Sequence, residues 1–271
     1  MPMNPQESEA QIEDGIRLLD THCHLNCEPL LSNLPGVLEA AHRAGVVGCV
    51  VPGVHPADWE LMAGLTREHA GLFPAFGIHP LHADLADGAA LERLAQIAAS
   101  GVALGEIGLD PTYPGALDRQ EQAFREQLRL AIRLGLPVLV HCRRLFQRTL
   151  TVLREEKAGR VGGIMHAFSG SPEMAREFIR LGFAISLCGT VTWRGAARPV
   201  RLAGQIPLES LVLETDAPDM APEPFRGESN RPSCLREVLV AVAGIRDMLV
   251  HDLARATTVN TLRVLGRITL P

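Results

Sequence analysis

The chain has 271 residues, 46 % hydrophobic and 21 % charged, with a formal net charge of −5. Those fractions lie near the average for soluble globular proteins and exclude both a disordered chain and a membrane protein as the starting expectation. The negative balance excludes a protein that coats nucleic acid non-specifically, which needs many Lys and Arg contacts to phosphates, but it leaves room for a nuclease with a local basic cluster.

The first segment, Met1 to Asp14, is polar and acidic, contains Pro2 and Pro5, and has no apolar stretch able to act as a signal peptide or a spanning helix. Residues 1–15 are therefore expected to be a flexible extension, with residues 16–271 forming one domain; α/β barrels of about 250 residues commonly do. No later segment offers a charge-free apolar run of about 18 residues, so a soluble, cytoplasmic protein without membrane contact is expected. Six cysteines without a secretory signal predict reduced thiols. Cys23 and Cys27 flank His24 but have no second Cys pair at matching spacing, which argues against a structural zinc knuckle. Cys49, Cys142 and Cys188 lie in or beside apolar runs and read as small buried hydrophobes.

Beyond the extension, short apolar runs alternate with longer amphipathic segments. The runs are Ile16 to Leu19, Val46 to Val51, Phe73 to Phe76, Val102 to Leu104, Pro137 to Val140, Gly163 to Met165, Phe183 to Leu187 and Leu211 to Leu213. Such runs suit strands buried on both faces, and the intervening segments are long enough for crossover helices, so parallel pairing follows. Gln120 to Gly135 is the clearest helix: Phe124, Leu128 and Ile132 recur every four residues, Asp118 and Glu121 resemble a capping box, and Gly135 with Pro137 marks the stop. Ser171, Pro172 and Gly182 punctuate the helix after the sixth run. Arg246 to Leu265 is expected to supply one or two helices that close the fold. Eight strands with intervening helices, and no glycine-rich nucleotide fingerprint after the first, predict a (β/α)8 TIM barrel.

Active sites of such barrels form at the C-terminal ends of the strands. The first strand ends in Asp20-Thr21-His22-Cys23-His24, where alternation directs His22 and His24 to one side and lets them chelate one ion. The fourth runs into Glu106, the fifth into His141, the sixth into His166 and the eighth into Asp216. A single buried histidine is ordinarily a satisfied core residue. Four imidazoles and two carboxylates from five strand ends are a different matter, because their convergence makes a candidate site for one or two divalent metal ions.

In this pattern the chain resembles the TatD-like metal-dependent hydrolases of the amidohydrolase superfamily. The resemblance runs from about Leu18 to Leu265 and rests on DTHCHL at 20–25, GIHP at 77–80, GEIGLD at 105–110, LPVLVHCR at 136–143, HAFSGS at 166–171 and LETDAP at 213–218. It implies that His22, His24 and Asp216 hold one metal, that His141 and His166 hold a second, and that Glu106 bridges them. It further implies Asp216 as general base and Arg143 and His79 as substrate contacts. A metal pair of this kind acidifies a bridging water and clamps the oxygens of a phosphodiester or ester. Zinc, manganese, nickel or iron suits four histidines better than magnesium, although the family is commonly described as magnesium-dependent.

The implied activity is hydrolysis of ester bonds, with DNA as the expected substrate and 3′ to 5′ exonuclease action as the leading form. Amide hydrolysis and deacylation of D-aminoacyl-tRNA on the same centre are the alternatives, and no obligate protein partner is evident. A non-catalytic binding barrel is disfavoured because all six ligands are in place. The chain departs from the family at Pro111-Thr112-Tyr113-Pro114, where a Tyr or Phe pair is usual, in lacking an acidic residue after Arg143, and at Arg231, where an acidic residue is common. Of Arg143, Arg144, Arg148, Arg194, Arg198, Arg226 and Arg231, only Arg143 is assigned a role beyond that of a solvated surface charge.

Overall fold

A computed structural model describes residues 15–113 and 115–270; the expected N-terminal extension, apart from Gly15, lies outside the described residues. Eight strands form one parallel sheet in sequential order: β1 (Leu18–Asp20), β2 (Val46–Pro52), β3 (Leu72–Phe76), β4 (Ala103–Leu109), β5 (Val138–Cys142), β6 (Gly163–Met165), β7 (Phe183–Leu187) and β8 (Leu211–Leu213). All eight predicted runs contribute a strand. The largest differences are that β1 starts two residues late and that β4 continues five residues past Leu104, through Glu106.

Seven helices connect successive strands: α1 (Leu34–Arg43), α2 (Trp59–Glu68), α3 (Gly88–Ala98), α4 (Leu117–Leu134), α5 (Phe146–Glu155), α6 (Pro172–Arg180) and α7 (Ala197–Gln205). After β8 come α8 (Leu235–Arg246) and α9 (Val250–Val264). None is long and apolar enough to cross a membrane, among the described residues. Within the predicted closing segment only α9 is a complete helix, because Arg246 is the last residue of α8. α9 packs against β1 and β8, where the sheet meets itself. Ser171 caps α6, its Oγ accepting the Met174 N–H, as its sequence suggested. The capping box expected for α4 is absent: the helix begins at Leu117 with Ala116 as N-cap, so Asp118 lies inside the first turn. There its charge complements the helix dipole, while Glu121 is drawn away to Arg125 and Arg148. Gly135 closes α4 with φ 64°, as expected of a left-handed C-cap.

The barrel interior is packed solid. Leu19, Val50, Ala75, Ala103, Leu139, Ile164, Ala184 and Val212, one residue from each strand, form a buried apolar layer floored by Leu265 and Ile268. A barrel filled in this way is a core, not a channel, and leaves its C-terminal rim for chemistry. β8 and β1 share no regular ladder, but the seam is closed by hydrogen bonds from Thr21 N to Leu213 O (3.1 Å), Asp216 N to His22 O (2.9 Å) and His24 N to Ala217 O (2.8 Å). Asp20, fully buried, adds a clamp: Oδ1 accepts from Thr215 N (2.9 Å) and Oδ2 from Thr215 Oγ1 (2.6 Å). All six cysteines are free.

Candidate metal centre

The seam bonds that complete the barrel also fix three of the predicted ligands, since His22, His24 and Asp216 all lie in the extensions of β1 and β8. Glu106 enters from the middle of β4. The β4–β5 ladder breaks between Leu104 and Ile107, and Glu106 N turns instead to Gly53 O (2.9 Å). The ladder resumes with Ile107 opposite Val140 and continues with Gly108 opposite His141. Glycine is needed there, because its φ is 153° and an added Cβ would lie 1.9 Å from His141 O. His166 directly follows β6, with its N–H on Val140 O (3.1 Å).

Glu106 stands at the centre of the cluster, with its two carboxylate oxygens facing different imidazoles. Oε2 lies 3.1 Å from His22 Nε2 and 3.9 Å from His24 Nε2; Oε1 lies 2.7 Å from His141 Nδ1, 3.4 Å from His166 Nε2 and 3.6 Å from His79 Nε2. Asp216 Oδ1 lies 3.7 Å from His24 Nε2 and 3.9 Å from both His22 Nε2 and His166 Nε2. The His22 and His166 rings stack with centroids 3.7 Å apart. All six predicted ligands are thus brought together. Ligand atoms of His22, His166 and Asp216, of His22, His24 and Glu106, and of His79, Glu106 and His141 fall into three groups compact enough to hold an ion. Among the described residues, every ion-pairing partner of Glu106 and Asp216 is a histidine. Two buried carboxylates with no Lys or Arg beside them, facing imidazole nitrogens, fit a divalent cation of borderline hardness.

Two further carboxylates orient the histidines, and sequence patterns alone single out neither. Asp110 Oδ2 is 3.0 Å from His141 Nε2, which leaves Nδ1 for the centre. Glu214 Oε1 is 3.1 Å from His166 Nδ1 and also accepts the Ala167 N–H (2.6 Å), which leaves His166 Nε2 for the centre. Carboxylate–histidine pairs of this kind set the ring tautomer and raise ligand basicity at metal sites. Both acids belong to motifs that the sequence displays, and Glu214 is two residues from Asp216, the same alternation that exposed the His22/His24 pair.

Charge states follow from this packing. Burial disfavours a proton on His166, but Glu214, Asp216 and Glu106 outweigh it and raise its pKa to about 10. Burial pushes Asp216 up to about 6 against the pull of His166 and His22. Glu106, despite its burial, is held well below the usual carboxylate range by His166, His22, His79 and His141. His24 and His79 are lowered to about 3, chiefly by burial, and are neutral rings.

The tautomer of His79 separates it from the ligands. Leu81 N donates to His79 Nδ1 (3.1 Å), so the neutral ring carries its proton on Nε2, the atom facing Glu106. A nitrogen that holds its proton is a donor and not a metal ligand. His79 also packs edge-on against Tyr113, with centroids 5.3 Å apart. Both line a cleft of about 340 Å³ together with His24, Glu106, His141, His166 and Asp216. Tyr113, which stands out in the sequence only as a departure from the family pattern, is therefore part of the site. Arg143 is exposed on the rim, with Nη1 3.5 Å from Thr112 Oγ1, and does not line the cleft itself. A larger cavity of about 630 Å³ lies at the opposite end of the barrel, around the starts of β2 and β3 and helix α1, and gathers no metal-binding cluster among the described residues.

A filled parallel barrel with a histidine–carboxylate cluster at its C-terminal rim defines a metal-dependent hydrolase of the TIM-barrel type. The profile of the TatD-related DNase family matches residues 19–266, and the chain belongs to that family. It is 36 % identical over 250 residues to a metal-dependent hydrolase of Bacillus subtilis, YabD, covering 91 % of this chain and 98 % of that protein. It is 33 % identical over 271 residues to the human deoxyribonuclease TATDN3, covering 94 % and 96 % respectively. The crystal structure of YjjV, a TatD homologue from Escherichia coli K12, superposes with a TM-score of 0.87 at 34 % identity, covering 93 % of this chain and 99 % of that one.

Proposed function

We propose that this metal-dependent hydrolase cleaves phosphodiester bonds in DNA, removing nucleotides in the 3′ to 5′ direction. The observation that carries the reading is the position of Glu106, with one oxygen toward His22 and His24 and the other toward His141 and His166. That division suits two ions, one held by His22, His24 and Asp216 and the other by His141 and His166, with Glu106 shared. Ions held there would supply Lewis-acid polarisation of phosphoryl oxygens and a more acidic water.

The protein's own groups have separate tasks. Asp216, whose pKa burial pushes up to about 6, accepts the proton of the attacking water. His79 donates its fixed Nε2 proton to an oxygen of the bound substrate. Arg143, at the rim, receives a phosphate through its paired guanidinium donors, and Tyr113 offers a ring face to a base or sugar in the cleft. The name of the human relative, a deoxyribonuclease, favours DNA among the ester substrates.

The test is hydrolysis of a 3′-labelled single-stranded DNA by metal-stripped protein resupplied with magnesium, manganese or zinc, beside the Asp216→Ala variant. Nucleotide release that requires both metal and Asp216 is expected. No release by protein that still binds metal would overturn the DNA assignment and direct the search to other esters, amides and acylated tRNA.

A further inference from the structure

Arg226 lies over the ring of Trp193, with its Cζ 4.5 Å from the ring centroid, and Arg231 lies over Phe225 at 5.0 Å. Both arginines and Phe225 belong to the loop that follows β8, passes through Asp216 and contributes Pro218 and Asp219 to the cleft; Trp193 belongs to the neighbouring loop after β7. The two loops are sewn together: Trp193 Nε1 donates to Ala221 O (2.8 Å) and Glu223 N to Thr192 Oγ1 (2.7 Å). Asn230, fully buried, anchors the far end through Nδ2 to Thr215 O (2.8 Å) and Asp219 O (2.7 Å). A guanidinium laid on a ring uses its flat face and keeps its N–H donors, which lie in its plane, for another partner.

We propose that these two loops form a binding wall for the single-stranded nucleic acid that feeds the metal cleft, with Arg226 and Arg231 gripping successive backbone phosphates and Trp193 and Phe225 holding them in place. The inference rests on the nuclease reading above and assigns the strand's path outside the cleft. The wall's one acidic neighbour in ion-pair range, among the described residues, is Glu223, 3.8 Å from Arg226 and 3.6 Å from Arg194. Arg231 forms no ion pair among the described residues, so its charge is available to a phosphate. The same loops add Arg194, 92 % of whose side chain is exposed. In a chain of net charge −5, such a local set supplies the positive potential that a polyanionic strand requires. Aromatic rings backed by arginines are also the surface on which unpaired bases stack without sequence preference.

The experiment compares the metal-loaded wild type with an Arg226→Gln/Arg231→Gln double variant on three substrates: an oligothymidylate, a thymidine dinucleotide and bis(p-nitrophenyl) phosphate. The variant is expected to raise KM for the oligothymidylate by about ten-fold or more with kcat retained. Its log–log salt slope should become shallower by about 1.4, which is about 0.7 for each single-strand phosphate that an arginine no longer neutralises. The two small substrates each carry a single phosphodiester, the one cleaved, and offer the wall no further backbone phosphate, so they should be hydrolysed as before. As a second readout, oligothymidylate should alter the tryptophan emission of the wild type. The signal comes from Trp193, because the other tryptophan, Trp59, is completely buried. An unchanged oligothymidylate KM and salt slope in the variant, with the wild type active on that strand, would remove the wall and leave the nuclease reading standing. Wild type that hydrolyses bis(p-nitrophenyl) phosphate but no oligonucleotide would overturn both.

Discussion

Asp110 Oδ2 stands 3.0 Å from His141 Nε2, while the opposite nitrogen of that ring, Nδ1, faces Glu106 Oε1 at 2.7 Å. The imidazole is thus strung between two carboxylates, one of which belongs to the metal cluster. Asp110 is itself pinned by the Thr112 N–H and hydroxyl, both on Oδ1. Although it is fully buried, which disfavours its charge, it stays ionised well below the usual carboxylate range because His141 and Thr112 donate to it. Replacing it with Ala leaves the ring free to rotate and to take the other tautomer. Asp110→Ala is expected to lower metal affinity by about 10- to 100-fold, with Asp110→Asn recovering part of the loss. Chelator-competition titrations check this, and wild-type affinity in the Ala variant would rule out Asp110 as a positioning residue.

Removal and return of metal should move protons. In chelator-treated protein His166 keeps a proton up to a pKa of about 10 and Asp216 keeps one up to about 6. A cation must displace the His166 proton at neutral pH and both protons below pH 6. Affinity should therefore rise with pH by at least about one log unit per pH unit between 6 and 10, with the proton that Asp110 and Glu106 hold on His141 adding to the slope near neutrality, and more steeply under 6. Calorimetric titrations in buffers of different ionisation enthalpy count the protons, and metal uptake at pH 7 without proton release would contradict the assigned charge on His166.

Gly108 is expected to tolerate no side chain. A Cβ there meets His141 O at 1.9 Å, on the neighbouring strand and as part of its backbone, so the β4–β5 pairing itself must open. Gly108→Ala should lose more than about 4 kcal/mol or fail to fold, judged by soluble yield and thermal unfolding. A variant within a few degrees of the wild-type Tm would show that the two strands can separate more cheaply than their packing implies.

Asp20 predicts a pH-dependent stability. Burial raises its pKa from 3.8 to about 7 in spite of the hydrogen bonds from Thr215 and His22. Between those values the folded chain binds a proton that the unfolded chain has released, so this contribution to stability falls as pH rises from about 4 to about 7. Asp20→Asn should remove that component of the slope. Asp20→Ala, which strands the Thr215 N–H and hydroxyl, should cost about 1–3 kcal/mol. Denaturant unfolding across this pH range measures both, and an Asn variant with the wild-type pH slope would exclude Asp20 as its source.

Much of the architecture is legible in the residues themselves. Each strand announces itself because a parallel barrel buries both faces of its strands and leaves a continuous apolar run such as Phe183 to Leu187. The ligands are visible because each lies within, or a few residues beyond, the end of such a run. The capping box expected of Asp118 and Glu121 fails because Glu121 is claimed by Arg148 on another helix, 27 residues away in sequence, which no local pattern encodes. The start of α8 is hidden for a similar reason. Leu235 to Val242 is apolar enough to be core, but what it packs against is decided by helices elsewhere in the chain.

The sequence by itself determined the barrel and the set of groups at its mouth, because both are written in short local patterns: apolar runs, and acids or histidines a fixed step from their ends. Only the tertiary structure decided how those groups are used. Asp110 finds His141 across 31 residues and Glu214 finds His166 across 48. Leu81 N–H turns His79 into a donor, and Arg226 comes to lie on Trp193. Each of these outcomes depends on side-chain direction across neighbouring strands and loops, and that direction is set by the closure of the barrel rather than by nearby sequence.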